Sequence, residues 1–427
     1  MNPMSVRSFF LGQLSALFTR PGLDQLTLRS AQLQARMRSS RPRACLYYGL
    51  TDPNSYLLLQ WLLTCKVPDT YDWQLIGVDE NQVFLSTDRE RWLSYALQDH
   101  YRQAQRWGLA ALAADGTLPP PNAGTAQRRL RSGPLHEVGP AWLAATEAAY
   151  RGEHSAPSSE MLAHLRAGSD NLKRSGHYQS GMLRMAGLWL GGLDRLHLAA
   201  RLPGAEALIH GAPPSPLDRY PTDKQPLPAR AGWALDYIMS VRSPYSYLGL
   251  ELAQQLCTSW HIPLRIHVIF PMVRRGLAVP AVKKFHLLRD AGRCARWEGQ
   301  DFGPVCDPLG AGLERGISYV QRLADGPGGY AHVHALMHAV WSQALDLADT
   351  PAWHTFLQAR GLDPAEFDAW EQSGQWRQAV ERTSQEHGEL GYWGVPILIL
   401  RRPDGSVHTS SWGHDRLWLI HQALLGG

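Results

Sequence analysis

Residues 234–256 read ALDYIMSVRSPYSYLGLELAQQL, and the order of residue types in this stretch decides the architecture of the chain. Ala234 to Val241 form an apolar run that predicts a buried strand, and Ser243 and Pro244 end it. Leu248, Leu252 and Leu256 then recur at the spacing of one helical face. A strand therefore delivers Ser243 to the first turn of a helix. Serine there is a favoured N-cap and proline a favoured first helical residue, so helix initiation alone accounts for both. Chemistry is still open to such a serine, because it accepts a backbone N–H through a lone pair while its own O–H points outward.

The same frame occurs upstream. In RACLYYGLTDPNSYLLLQWLL, from Arg43, a strand leads into Asp52, Pro53, Asn54 and Ser55 and then an apolar helix, so DPNSYL aligns with SPYSYL. Two further matches follow in the same order. DHYRQAQRWG from Asp99 and DAGRCARWEG from Asp290 share D-x-x-R-x-A-x-x-x-G. GGLDRLHLAARL around Asp194 parallels WGHDRLWLIHQAL around Asp415, each predicting a terminal amphipathic helix. Three ordered matches imply a tandem duplication. The reading is a helical extension over 1–40, a first copy over 41–205, a Pro-rich linker over 206–230 and a second copy over 231–427. Each copy runs strand, helix, strand, long helical insertion, hairpin, last helix. In the second copy LRIHVIF is the second strand, Val279 to Glu381 is mostly helical, and VPILILRR and VHTSSW flank the turn PDGS.

Composition narrows the function classes. A chain of 427 residues exceeds the roughly 100–200 residues of one domain, which agrees with two or three units. The formal net charge is only +4, and no basic stripe interleaved with aromatics occurs, which argues against nucleic acid. The five cysteines, at 45, 65, 257, 294 and 306, form no CxxC and no paired metal-ligand spacing, so zinc and dithiol redox chemistry are disfavoured. Their odd, scattered placement fits a reducing compartment and predicts a cytoplasmic protein without disulfides. The start, MNPMSVRSFFLGQLSALFTRPGL, reads as an amphipathic helix rather than a signal peptide. No run approaches the roughly 18 apolar residues of a membrane span.

A strand running into Ser243, Pro244, Tyr245 and Ser246 resembles the thioredoxin-like fold of the bacterial disulfide oxidases, which carry Cys-Pro-x-Cys at those four places. With both sulfurs replaced, SPYSYL resembles the 2-hydroxychromene-2-carboxylate isomerases and the related kappa-class glutathione transferases. The resemblance implies an α/β fold class: two thioredoxin-like (DsbA-like) domains, each with an inserted helical subdomain. It implies glutathione as cofactor, with Ser243 as the catalytic hydroxyl that stabilises its thiolate, a role the partial positive charge of a helix start supports. It implies that Pro396 is cis and that Val395 pairs its backbone with the tripeptide, where an edge-strand proline is the alternative. It places Gly413, His414 and Asp415 at the γ-glutamyl end, although a first-turn Asp is also ordinary helix punctuation and His414 replaces a small polar residue of the family. Lys283, seven residues before Asp290, stands where the isomerases carry a lysine. A cation there would bind a substrate carboxylate, and a solvated charged turn is the alternative. The chain has only five lysines against 37 arginines, which makes Lys283 and Lys284 unusual. His286 stands where the family tends to have Tyr, as the first copy has in Tyr95.

His332, His334 and His338 lack a third ligand of suitable spacing, so packing or capping is preferred to a metal site. The first copy has Asp52 for the serine and Gly181, in HYQSGML, for the proline. An ionised carboxylate has no O–H to donate and repels a thiolate, so that copy reads as structural or regulatory. Family members pair as homodimers, which implies an intramolecular pseudo-dimer. The leading expectation is a glutathione-dependent isomerase or transferase acting on a small molecule, a conjugated, aromatic-derived carbonyl compound. A catalytically silent binding module is the alternative, and a thiol-disulfide oxidoreductase comes third, since Ser243 and Ser246 hold no sulfur.

Overall fold

The computed structural model describes residues 16, 21–37, 39–65, 67, 69–83, 89–113, 118–123, 130–153, 155–202, 205, 208, 230–271, 281–392 and 394–426. The chain divides into two compact units. The first comprises Pro21–Ser215 with Pro280–Lys283, and the second comprises Pro216–Val279 and Lys284–Gly427 with Met1–Arg20. The amphipathic helix expected before residue 21 and almost all of the Pro-rich linker lie outside the described residues.

In the first unit, helix α1 (Pro21–Met37) precedes β1 (Arg43–Tyr48), α2 (Pro53–Thr64) and β2 (Asp72–Gly77). Strands β1 and β2 are parallel. Then come α3 (Arg89–Trp107), the two-residue strand β3 (Gly133–Pro134), α4 (Leu135–Tyr150) and α5 (Ser159–Arg174). The hairpin of β4 (Met182–Met185) and β5 (Leu188–Gly191) follows. The sheet order is β3-β2-β1-β4-β5, with β4 antiparallel to β1. Strand β3 is an added edge that the sequence pattern does not reveal, since two residues carry no periodicity. The expected terminal helix is here a 3-10 helix, Leu193–Arg201. Pro203 follows, and the residue before a proline is driven out of the α region; Leu202 is extended, at φ −96°, ψ 129°.

The second unit repeats the strand order. Strand β6 (Ala234–Met239), α6 (Pro244–Trp260) and β7 (Leu264–Val268) are followed by six helices. These are α7 (Ala281–Glu298), α8 (Ala311–Leu323), α9 (Gly329–Ser342), α10 (Thr350–Gln358), α11 (Pro364–Ser373) and α12 (Gln375–Glu389). The hairpin of β8 (Ile397–Arg401) and β9 (Val407–Trp412) leads through a short 3-10 turn at His414–Arg416 to α13 (Leu417–Gly426). The order is β7-β6-β8-β9, β6 being parallel to β7 and antiparallel to β8. Every residue of β6 is buried, as expected for a central strand covered on both faces. Its one charge, Asp236, is held by Arg401 of β8. The predicted hairpin turn forms, with Gly405 at φ +83° and its amide donating to Arg402 O at 2.9 Å.

Both helical insertions grip the turn before α2 or α6. Thr146 Oγ1 donates to Leu50 O at 2.9 Å in the first unit, and Trp341 Nε1 donates to Val241 O at 3.1 Å in the second. Each acceptor is two residues before the N-cap. Asp99 lies on α3 and Asp290 on α7, each the first helix after the parallel strand pair. Among the described residues no helix is long and apolar enough to cross a membrane.

Candidate functional site

Ser243 is the N-cap of α6, with Pro244 at the first helical position. Its Oγ accepts the Ser246 amide at 3.0 Å and donates to the Val395 carbonyl at 3.4 Å. The second contact is long for an O–H donor, so the proton is directed but weakly held. Ser243 is half-buried, whereas Ser246 is fully buried, its Oγ accepting the Ser240 amide at 3.4 Å. Of the two serines, only Ser243 is partly exposed.

The Val395–Pro396 peptide is cis. Pro396 has no N–H, but its carbonyl accepts the Gly413 amide at 2.9 Å, which joins the turn before β8 to the turn after β9. Gly413 is at φ +112°, a backbone conformation that favours glycine, and it faces the Asp415 carboxylate. Asp415 pairs with the buried Arg416 at 3.3 Å. Ser243, Val395, Pro396 and Gly413–Asp415 thus form one connected group.

His414 is buried, and its ring stacks on Tyr245 with centroids 4.8 Å apart and planes 14° apart. Below it is Gly249, where a Cβ would come within 2.8 Å of His414 Cβ and 2.7 Å of the Tyr237 hydroxyl. The missing side chain on α6 makes room for the larger residue on the turn. Tyr245 also donates its hydroxyl to Asp290 Oδ2 at 2.6 Å, and Asp290 is 3% exposed. Neither Tyr245 nor Asp290 carries a sequence signal of a role beyond its place in SPYSYL or in the shared D-x-x-R-x-A segment. Arg242, just before Ser243, grips Asp307 through both oxygens at 2.8 and 2.5 Å, which raises the pKa of its guanidinium.

Lys283 stands in the first turn of α7 and groups with the first unit. Burial lowers its pKa to about 8. It shares a helix face with Asp290, two turns on. His332 Nδ1 lies 3.4 Å from the Tyr319 hydroxyl, and His338 Nε2 lies 3.6 Å from Asp301 Oδ2. Burial lowers the pKa of His334. Among the described residues no group of three or more His, Cys, Asp or Glu is arranged to hold a metal ion.

A βαβ unit, an inserted helical layer, a ββα unit and a cap at the helix start define the fold of this region. Residues 234–425 match the family model of the DSBA-like thioredoxin domain. Solved structures similar to the chain include 2-hydroxychromene-2-carboxylate isomerase, 20% identical, covering 45% of this chain and 95% of that one at a TM-score of 0.39. The cytosolic disulfide reductase DsbM from Pseudomonas aeruginosa is also 20% identical, covering 45% of this chain and 99% of its own at 0.35. DsbM with GSH is 17% identical over 44% of this chain and 98% of its own, at 0.31. No curated protein matches the chain.

Where the DSBA-like domain has a half-open site, the first unit has a closed one. Asp52 is the N-cap of α2, 2% exposed, and its Oδ1 accepts the Asn54 amide at 3.0 Å. Its Oδ2 accepts the hydroxyls of Ser55 at 2.7 Å and Ser180 at 2.8 Å. Burial raises its pKa, and these hydrogen bonds oppose the rise. Gly181, at φ +70°, donates its amide to Tyr47 O at 2.9 Å, a bond unavailable to the proline of the DSBA-like domain. The Gly192 amide donates to Gly181 O at 2.9 Å, just as Gly413 does to Pro396.

Proposed function

We propose that the chain is a glutathione-dependent isomerase or transferase, resembling 2-hydroxychromene-2-carboxylate isomerase, whose site lies in the second unit and acts on a conjugated carbonyl compound. One observation carries the reading: the Ser243 hydroxyl at a helix start meets the Val395 backbone, and the same group continues through Gly413 to Asp415. That succession offers an O–H donor, a main-chain acceptor and a carboxylate beside a buried arginine. It matches a thiol, a peptide backbone and an α-amino acid end taken in order. Bound glutathione supplies the nucleophilic sulfur.

Ser243 directs its O–H to the sulfur position, where an anionic acceptor displaces the long bond to Val395 O. The start of α6 adds partial positive charge at the same point. Asp415 receives the ammonium of the γ-glutamyl end, and Arg416 orients Asp415 through their ion pair. No sulfur stands at 243 or 246, which weighs against disulfide exchange.

The first unit is proposed to be a duplicated, thioredoxin-like copy whose site has been closed. Its support is the shared strand order and the matched amide bonds of Gly192 and Gly413. A cytoplasmic location is proposed from the five free thiols. The experiment is calorimetry of glutathione with the wild type and with Asp415→Ala. One equivalent should bind to the wild type and at least about tenfold more weakly to the variant, as expected on losing a charged partner. Equal binding by both proteins would refute the site.

A further inference from the structure

The interaction between Tyr245 and His414 spans the two ends of the proposed ligand site. Tyr245 lies two residues after Ser243, at the sulfur end, and His414 lies one residue before Asp415, at the amino acid end. Their rings stack at 4.8 Å and 14°, so the helix start and the Gly413–Asp415 turn are in direct contact. Both rings are held from behind. The Tyr245 hydroxyl is tied to the buried carboxylate of Asp290 at 2.6 Å, and His414 rests against Gly249, where a Cβ would come within 2.8 Å.

The first unit provides an internal control. At the places of Tyr245, His414 and Gly249 it has Asn54, Leu193 and Leu58. The matching Asp99 is equally buried, but its Oδ2 accepts Gln103 Nε2 of its own helix at 2.7 Å. The aspartate occurs at both places, and the residue that Tyr245 matches, Asn54, has neither a phenol nor a ring.

We infer that Tyr245, anchored by Asp290 and stacked on His414, is a specificity-determining positioning residue that sets the distance between the thiol subsite at Ser243 and the amino acid subsite at Asp415. The inference rests on the glutathione reading and deepens it. The site selects thiols bearing an α-amino acid end at the reach of a γ-glutamyl arm, and rejects short thiols, because the span is fixed before the ligand arrives.

The test uses Ser243→Cys in the full chain as a reporter. Its introduced thiolate attacks one sulfur of a disulfide probe, the S–S bond breaks, and a mixed disulfide forms as one thiol leaves. Equilibrium constants are measured by mass spectrometry with glutathione disulfide and with bis(2-hydroxyethyl) disulfide, and peptide mapping locates the adduct. The native cysteines are buried except Cys65, whose half-buried thiol is pushed up to about 11, so the reporter reacts first.

Ser243→Cys should prefer glutathione by about tenfold or more, and adding Tyr245→Ala should cut the preference to under about twofold. Tyr245→Phe and Asp290→Ala should each lose part of it. Asp290→Asn should keep it, because the amide oxygen still accepts the phenol. A merely structural role for Asp290 would lower folding stability in Asp290→Ala and leave the ratio of the two probes unchanged. A preference that survives Tyr245→Ala overturns the inference and leaves the glutathione site standing. No preference in Ser243→Cys itself overturns both. Should Tyr245→Ala fail to fold, Tyr245→Phe with the two Asp290 variants decides the question.

Discussion

The Ser243 hydroxyl reaches the carbonyl of Val395, 152 residues further along the chain, at 3.4 Å. That one contact joins the start of α6 to the turn before β8, and it is the longest hydrogen bond in its group. A side chain that already caps its helix through a lone pair keeps its proton for another acceptor.

Ser243→Ala should therefore act mainly on turnover. The variant loses the O–H donor at the sulfur, for which roughly a hundredfold fall in kcat is expected by analogy with single oxyanion donors. Glutathione affinity, carried by Val395 and Asp415, should change little. Loss of the cap costs about 1 kcal/mol, to be read separately from a melting curve. A Kd that rises as steeply as kcat falls would show that Ser243 binds rather than activates.

Asp52→Ala should do the reverse. It strands the Asn54 amide and the hydroxyls of Ser55 and Ser180 in a buried site, so a loss of roughly 2–4 kcal/mol is expected. Glutathione binding at the second unit should be unaffected. Calorimetry and urea unfolding on one preparation separate the two effects.

Gly181→Pro should not convert the first unit into a second site. Gly181 sits at φ +70°, whereas proline is confined near −65°, and its amide is bonded to Tyr47 O. A loss of roughly 3 kcal/mol or more is expected from thermal or urea unfolding. A neutral outcome would mean that the segment switches freely between two backbone conformations.

His100 should make the first unit acid-sensitive. It is fully buried, Nε2 accepts the Leu112 amide at 2.9 Å and Nδ1 lies 3.3 Å from Pro53 O, so the neutral Nδ1–H form fits; burial lowers its pKa from 6.5 to about 4. Between these values the unfolded chain binds a proton that the folded chain refuses. Stability from this group is therefore complete above pH 6.5 and falls toward pH 4, by about 3 kcal/mol in all. Asp52, with a raised pKa, contributes in the opposite sense, so the test compares variants rather than absolute curves. His100→Gln should lose less stability between pH 7 and pH 4.5 than the wild type does. An equal loss would assign the acid sensitivity elsewhere.

Much of the architecture is legible from sequence because its signals are local. The apolar run at 234, the serine and proline that start α6, and the glycine turn at 405 each act within a few residues. The repeated strand-to-helix frame is legible for the same reason, since Asp52-Pro53 and Ser243-Pro244 use one rule of helix initiation. Pro203 is an equally local signal for where the last helix of the first unit ends, since Leu202 before it is extended, but nothing local marks that helix as 3-10. What the sequence by itself could not decide is which distant side chains meet. Tyr245 found Asp290 and His414, and Asp52 found Ser180, through strand register and a missing Cβ at Gly249. Those depend on how layers far apart in the chain are stacked. The sequence named the serine; the tertiary structure decided that its counterpart Asp52 is sealed by hydrogen bonds while Ser243 keeps a proton to give.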